Sequence, residues 1–283
     1  MAVLCLVALG TSTTAYGANR PKPHVCKGSL RSLGVLAGNY RHGVVVVGAC
    51  KVYGGVARVH GKLRLKPHAT LLADYGARGS RLVVSGDVIV KRGATLVIGC
   101  GTQDSPCADQ PSRGPHLSSR ARIGGSVTAS GALGVIIHNA VVRGRIRQSG
   151  GGGGLSCNSK PGVFKLLRNP VYSNYEDVTV RGSLTISRLR SCWLGLARNH
   201  IGRDLVLKQD DLGDPDAIEV LANHVGRNLR CSKDSRVWDS TEATHAALYP
   251  RKAEPNKVHG RRDGQCRLAS PTKAGGQTGP GPF

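Results

Sequence analysis

One short phrase keeps returning along this chain. An apolar residue is followed by two small or polar ones, often including Gly, then any residue, then apolar, any, apolar. It reads "VHGKLRL" at 59–65, "VSGDVIV" at 84–90, "IGGSVTA" at 123–129, "VRGSLTI" at 180–186, "IGRDLVL" at 201–207 and "VGRNLRC" at 225–231, with "VRGRIRQ" at 142–148 as a degraded copy. Successive copies start 25, 39, 19, 38, 21 and 24 residues apart. The two long intervals imply either a decayed copy or an inserted loop. Self-similarity at this period signals a solenoid, propeller or array.

Within each copy apolar and polar positions alternate, which is the period of a strand. Gly-x pairs break the strands and are expected to mark corners, since a residue without Cβ allows a sharp turn. Nineteen to 25 residues suit one coil of three short strands. Stacking such coils at the sheet spacing of about 4.8 Å would bury columns of Val, Leu and Ile. The first two copies align without gaps over "VHGKLRLKPHATLLA" and "VSGDVIVKRGATLVI", matching Leu63 to Val88, Leu65 to Val90, Ala69 to Ala94 and Leu71 to Leu96. Aromatic residues make up only 4% of the chain against 40% hydrophobic residues in all, which fits thin layers of aliphatic side chains. The predicted class is all-β: a right-handed parallel β-helix, or solenoid, of short three-sided coils with inserted loops.

The V-x-G-x-V-x-V coils followed by "HATL" or "GATL" resemble right-handed β-solenoids of the bactofilin-like, polymer-forming kind. They are still more similar to exported, cysteine-bearing relatives of that group in high-GC Gram-positive bacteria. The resemblance covers about residues 43–235. It implies the fold, and it raises end-to-end self-assembly as one activity. The chain departs from bactofilins in its apolar leader, cysteines, long insertions and charge.

Residues 1–17 read as a secretory signal, with an apolar stretch from Ala2 to Leu9 and small residues, Ala15 and Gly17, before the expected cleavage. No Lys or Arg precedes the stretch, which fits a start codon lying further upstream. No segment is apolar for long enough to span a bilayer. Residues 18–42 are expected to form a lead-in or cap, 43–240 the solenoid, and 241–283 a basic, largely disordered tail. Eight cysteines remain after the signal: Cys26, Cys50, Cys100, Cys107, Cys157, Cys192, Cys231 and Cys266. An even number in an exported chain points to disulfides, although spacing alone leaves the connectivity open. The local pairs are Cys26 with Cys50, Cys100 with Cys107, Cys157 with Cys192, and Cys231 with Cys266. Without C-x-x-C or a nearby histidine pair, zinc is disfavoured.

Forty Lys and Arg against 17 Asp and Glu give a net charge of +23. Such an excess attracts polyanions. Candidate contacts at outward strand positions are Arg58, Lys62, Arg64, Arg143, Arg145, Arg147, Arg203 and Arg227. Nucleic acid is disfavoured because stacking platforms and recognised motifs are missing. An anionic wall polymer, acidic polysaccharide or anionic lipid fits better.

Catalysis has thinner support. Cleavage of acidic polysaccharide, as in β-helix lyases and hydrolases, would draw on Asp210 and Asp211. Of the signatures typical of polygalacturonase-like enzymes only this D-D pair and a lone His259-Gly260 are present. Asp210, Asp211, Asp214, Asp216 and Glu219 could together hold Ca²⁺, the one cofactor the chain offers ligands for, yet "DDLGDPD" does not follow EF-hand spacing. Neither a G-x-S-x-G elbow nor a nucleotide fingerprint occurs. The phrases "NHIGRDLVL" and "NHVGRNLRC" repeat Asn199-His200 as Asn223-His224. The stacked histidines could serve a site. The favoured reading is a structural ladder of histidines beside a ladder of asparagine amides.

Overall fold

The computed structural model describes residues 21–73, 80–99, 121–214, 218–235, 237–239 and 255–267. The expected signal, Cys100, Cys107 and Asp216 lie outside them. The described chain is all-β apart from a one-turn helix at Phe164–Leu167. Twenty-five strands join one sheet in which every strand pairing is parallel, and a second sheet pairs Arg190–Ser191 with Asp211–Leu212. Among the described residues no helix is long and apolar enough to cross a membrane.

The sequence phrase explains the pairing. Each "apolar-x-apolar" end of a copy lies in register beside the same end of the next. Val44, Leu63, Val88, Val127, Ile146, Leu184, Leu205 and Leu229 form one such column. The residues before the Gly form a second ladder: Val59, Val84, Ile123, Val142, Val180, Ile201, Val225 and Val258. A third contains Leu71, Leu96, Val135 and, further along, Tyr175, Leu196 and Val220. All three face one continuous aliphatic core. Each repeat therefore contributes three short strands. Val88 pairs directly with Val127, and Ile146 with Leu184. The two long intervals are thus insertions, with no further copy between the paired repeats.

The second insertion is ordered. Gly150 to Gly154 all have positive φ, a conformation that side chains rarely adopt. Gly152 donates to the carbonyl of Ala132, and Arg190 donates to that of Gly151. The glycine run is thus bonded to backbone on both sides. Beyond it, Phe164 and Leu167 cover the outer face of the third ladder at Val97, Ile136, Tyr172 and Trp193. Several of the chain's few aromatic rings gather there, outside the aliphatic core, with Phe164 edge-on to Tyr172 at 5.7 Å.

Three disulfides fasten this arrangement: Cys26–Cys50, Cys157–Cys192 and Cys231–Cys266, as the local pairing anticipated. The sheet also extends past the expected limits. His24–Gly28 and Gly34–Tyr40 pair with the long strand Val44–Val59, so part of the lead-in is already sheet. Lys257–Val258 and Arg262–Gly264 pair with His224–Val225 and with Leu229–Cys231, so part of the expected tail is a final repeat.

Candidate polyanion-binding surface

The repeat phrase has its Gly corner between the second ladder and the first. Backbone N–H groups climb this corner one repeat at a time. Gly86 donates to Gly61 O, Gly125 to Gly86 O, Gly144 to Gly125 O, Gly182 to Gly144 O, Arg203 to Gly182 O and Arg227 to Arg203 O. At the neighbouring position the glycines serve close approach. A Cβ on Gly202 would sit 2.4 Å from the carbonyl oxygen of Arg181, and one on Gly226 would sit 2.5 Å from that of Gly202. Left-handed backbone also occurs away from these glycines, at Asp177, Arg198 and Ala222 and at Arg188, Gln209 and Lys233.

A short polar residue follows the corner and caps the next repeat. Asp87 Oδ1 accepts from Ser126 N–H, Ser126 Oγ from Arg145 N–H, Asp204 Oδ1 from Asn228 N–H, and Asn228 Oδ1 from Arg261 N–H. The Ser126 N–H and, after it, Lys62 hold the Asp87 carboxyl below its ordinary range against a smaller opposing effect of burial. Two of the edge's carboxylates, Asp87 and Asp204, are thereby engaged internally.

All eight basic candidates fall on or beside this corner, and all are exposed. Arg58 and Arg64 flank it in the same copy, as Arg143 and Arg147 do in another. Lys62 and Arg145 follow it directly, and Arg203 and Arg227 occupy it. Lys62 spends part of its charge on Asp87 at 3.4 Å. The second ladder adds basic groups that the sequence reading passed over, because they lie outside the core of the phrase. Its outward column runs Arg58, Val83, Arg122, Val141, Thr179, His200, His224 and Lys257. Register alone would have found Arg122 and Lys257.

His200 and His224 are brought together as the register requires. Their rings stack with centroids 4.7 Å apart and planes 6° from parallel. Partial desolvation, then His200, Lys257 and His259, hold His224 below its ordinary value. Behind them runs the asparagine ladder. Asn199 Nδ2 donates to Asn223 Oδ1 and Asn223 Nδ2 to Asn256 Oδ1, with all three residues buried. Each Asn also donates to a strand carbonyl, of Tyr175, Leu196 or Val220, and accepts a backbone N–H from the repeat before. Asn256 is the rung that the sequence reading missed.

The acidic segment is dispersed. Asp210 is fully buried, and its two oxygens accept N–H bonds from Leu189 and Lys208. Burial pushes its carboxyl up to about 7. Asp210 N–H in turn donates to Asp234, so these carboxylates form another corner ladder. Asp211 is exposed and pairs with Arg190 at 3.6 Å. Asp214 accepts from the Trp193 indole, and Glu219 is buried in the third ladder. Among the described residues no three of these carboxylates converge as a cation site would require. The one converging group, Cys157, Cys192 and Asp214, has its sulfurs committed to a disulfide.

Compared with known proteins, the chain matches no protein family, no curated protein and no solved structure.

Proposed function

We propose that this chain is a right-handed β-solenoid of short three-sided coils that binds anionic polymers along its Gly-corner edge, without catalysis, as an exported protein of the cell envelope. Three parallel strands per repeat, each paired with its counterparts in the flanking repeats, support the solenoid. The handedness follows the strong preference of parallel crossovers for the right-handed sense. Three disulfides are compatible with an oxidising compartment.

One observation carries the binding function. Eight basic side chains chosen from the sequence share one exposed edge, where Asp87 and Asp204 are turned to internal capping. A line of like charge along one edge concentrates counter-ions and favours a linear polyanion over a small acid. The alternative of polysaccharide cleavage by the 207–220 carboxylates loses Asp210 to the interior. Incubation with uronate polymers, with and without chelator, should accordingly release no unsaturated or reducing ends.

The test is binding to purified anionic wall polymer and to polygalacturonate over a range of NaCl. Affinity should fall steeply with salt, as expected when bound counter-ions are released. The triple substitution Arg143→Gln, Arg145→Gln, Arg147→Gln should weaken binding and flatten the salt dependence. Binding that persists unchanged from low to high salt would overturn this reading.

A further inference from the structure

Where the corner column carries Arg143 and Arg181 in earlier repeats, it carries Gly202 and Gly226 in the next two. This follows from the stepwise bonds Arg181 N–H to Val142 O, Gly202 N–H to Val180 O and Gly226 N–H to Ile201 O. The missing side chains leave an open slot of about 370 Å³. Gly202 and Gly226 are its floor, and the stacked rings of His200 and His224 form a wall. Arg181 and His259 stand at its ends, with Thr179 also in the lining. Three repeat steps of about 4.8 Å separate Arg181 from His259, so the slot is on the order of 14 Å long.

The surrounding charges are of one sign. Lys257 extends the histidine column, and exposed Arg203 and Arg227 occupy the next column along the corner. Among the described residues no carboxylate lines the slot. Glu176 and Asp177, on the segment leading to Thr179, are held by Arg198. The slot therefore offers fixed positive charge from Arg181 and Lys257 beside the two stacked rings. In acid three histidines can add charge, and the stacked pair then repel each other unless an anion lies against them.

We propose that the slot over Gly202 and Gly226 is a proton-gated binding site for the closely spaced anionic oxygens of a linear polyanion. This rests on the polyanion-binding function proposed above and adds its location and its control. Protonation and binding favour each other. His224 in particular is held below its ordinary value by desolvation and cationic neighbours, and an anion relieves the second of these. Each proton taken up on binding makes affinity change roughly tenfold per pH unit, in the range between the titration of the free ring and that of the ring with the anion bound.

The experiment measures binding of inorganic polyphosphate, polygalacturonate and orthophosphate to the full chain at pH 7.5 and pH 5.5, at constant ionic strength. Wild type should bind both polymers at least tenfold more tightly at pH 5.5. The double variant His200→Gln, His224→Gln should lose most of the gain, read as the ratio of its own affinities at the two pH values. His42→Gln, an exposed histidine in the first repeat, should keep the gain. Thermal melting checks that the variants fold, and polyphosphate should raise the titration midpoints of the His200 and His224 ring signals in NMR. Binding with the same pH dependence in the double variant overturns the gate and leaves the broader function standing. No polymer binding at either pH overturns both. A pH gain for orthophosphate equal to that for the polymers overturns the polymer specificity.

Discussion

Asn223 shows how one side chain can join three repeats. Its Oδ1 accepts from the N–H and the amide of Asn199, and its Nδ2 donates to Leu196 O and to Asn256 Oδ1. Because the group is buried, losing it strands partners that water cannot reach. Asn223→Leu should lower stability by about 3 kcal/mol or more, since each unpaired buried group costs about 1–3 kcal/mol. Urea denaturation would measure it, and a loss under about 1 kcal/mol would show the ladder to be dispensable. Asp210 holds the corresponding place in the other ladder with a different chemistry. Both its oxygens accept N–H bonds, so an amide could not replace it without setting a donor against Lys208 N–H. Burial raises Asp210 to about 7 and Asp234 to about 6, from an ordinary 3.8. A raised carboxyl contributes its full stability below the unfolded value, and that contribution is lost as pH rises through the folded one. Unfolding midpoints should therefore fall between about pH 4 and pH 7. His224, whose value is lowered, acts in the opposite direction and stays in place as a common background. In the variant Asp210→Asn, Asp234→Asn the midpoint should be lower throughout but its decline with pH flatter. An equal decline would clear both carboxyls.

Which elements were legible in the sequence depended on how many of their faces are buried. The first ladder has one face in the core and one in solvent, as in Leu63–Leu65 and Ile146–Ser149, so its copies alternate visibly. The third ladder is buried on both faces in Gly134–His138, Tyr172–Glu176 and Trp193–Ala197. Alternation vanishes there, and only its first copies, "TLLA" and "TLVI", could be seen. Left-handed backbone at Arg188, Arg198, Gln209, Ala222 and Lys233 was not legible, because these residue types carry no turn signature. The last repeat was hidden because Arg262 and Asp263 replace the apolar phrase. Its two strands have little core of their own, and Cys231–Cys266 ties them down across 35 residues. Cys266→Ser should therefore release this element alone. Amide exchange at Lys257–Gly264 should accelerate by orders of magnitude, while Leu184–Lys208 stays protected. Uniform acceleration across both segments would mean that the disulfide stabilises the whole sheet.

At the scale of the whole molecule, a repeat fold answers to neighbours and a charge field answers to everything. Each repeat pairs only with the repeats before and after it, so stability accumulates locally. The +23 charge has no such locality. It is a distributed repulsion to which the exposed basic groups of the Gly-corner edge contribute, and added salt should relieve it as the Debye length shortens. A polyanion that bridges successive repeats should do more than screen. It would cancel charge along several repeats at once and bind the folded register, which the unfolded chain lacks. The melting temperature should therefore rise gradually with NaCl, and polyphosphate at micromolar chain concentration should raise it further at fixed ionic strength. Free orthophosphate at the same total phosphate should add no such increment. If polyphosphate and orthophosphate shift melting equally, the basic edge acts as a diffuse field, and its linear arrangement has no part in recognition.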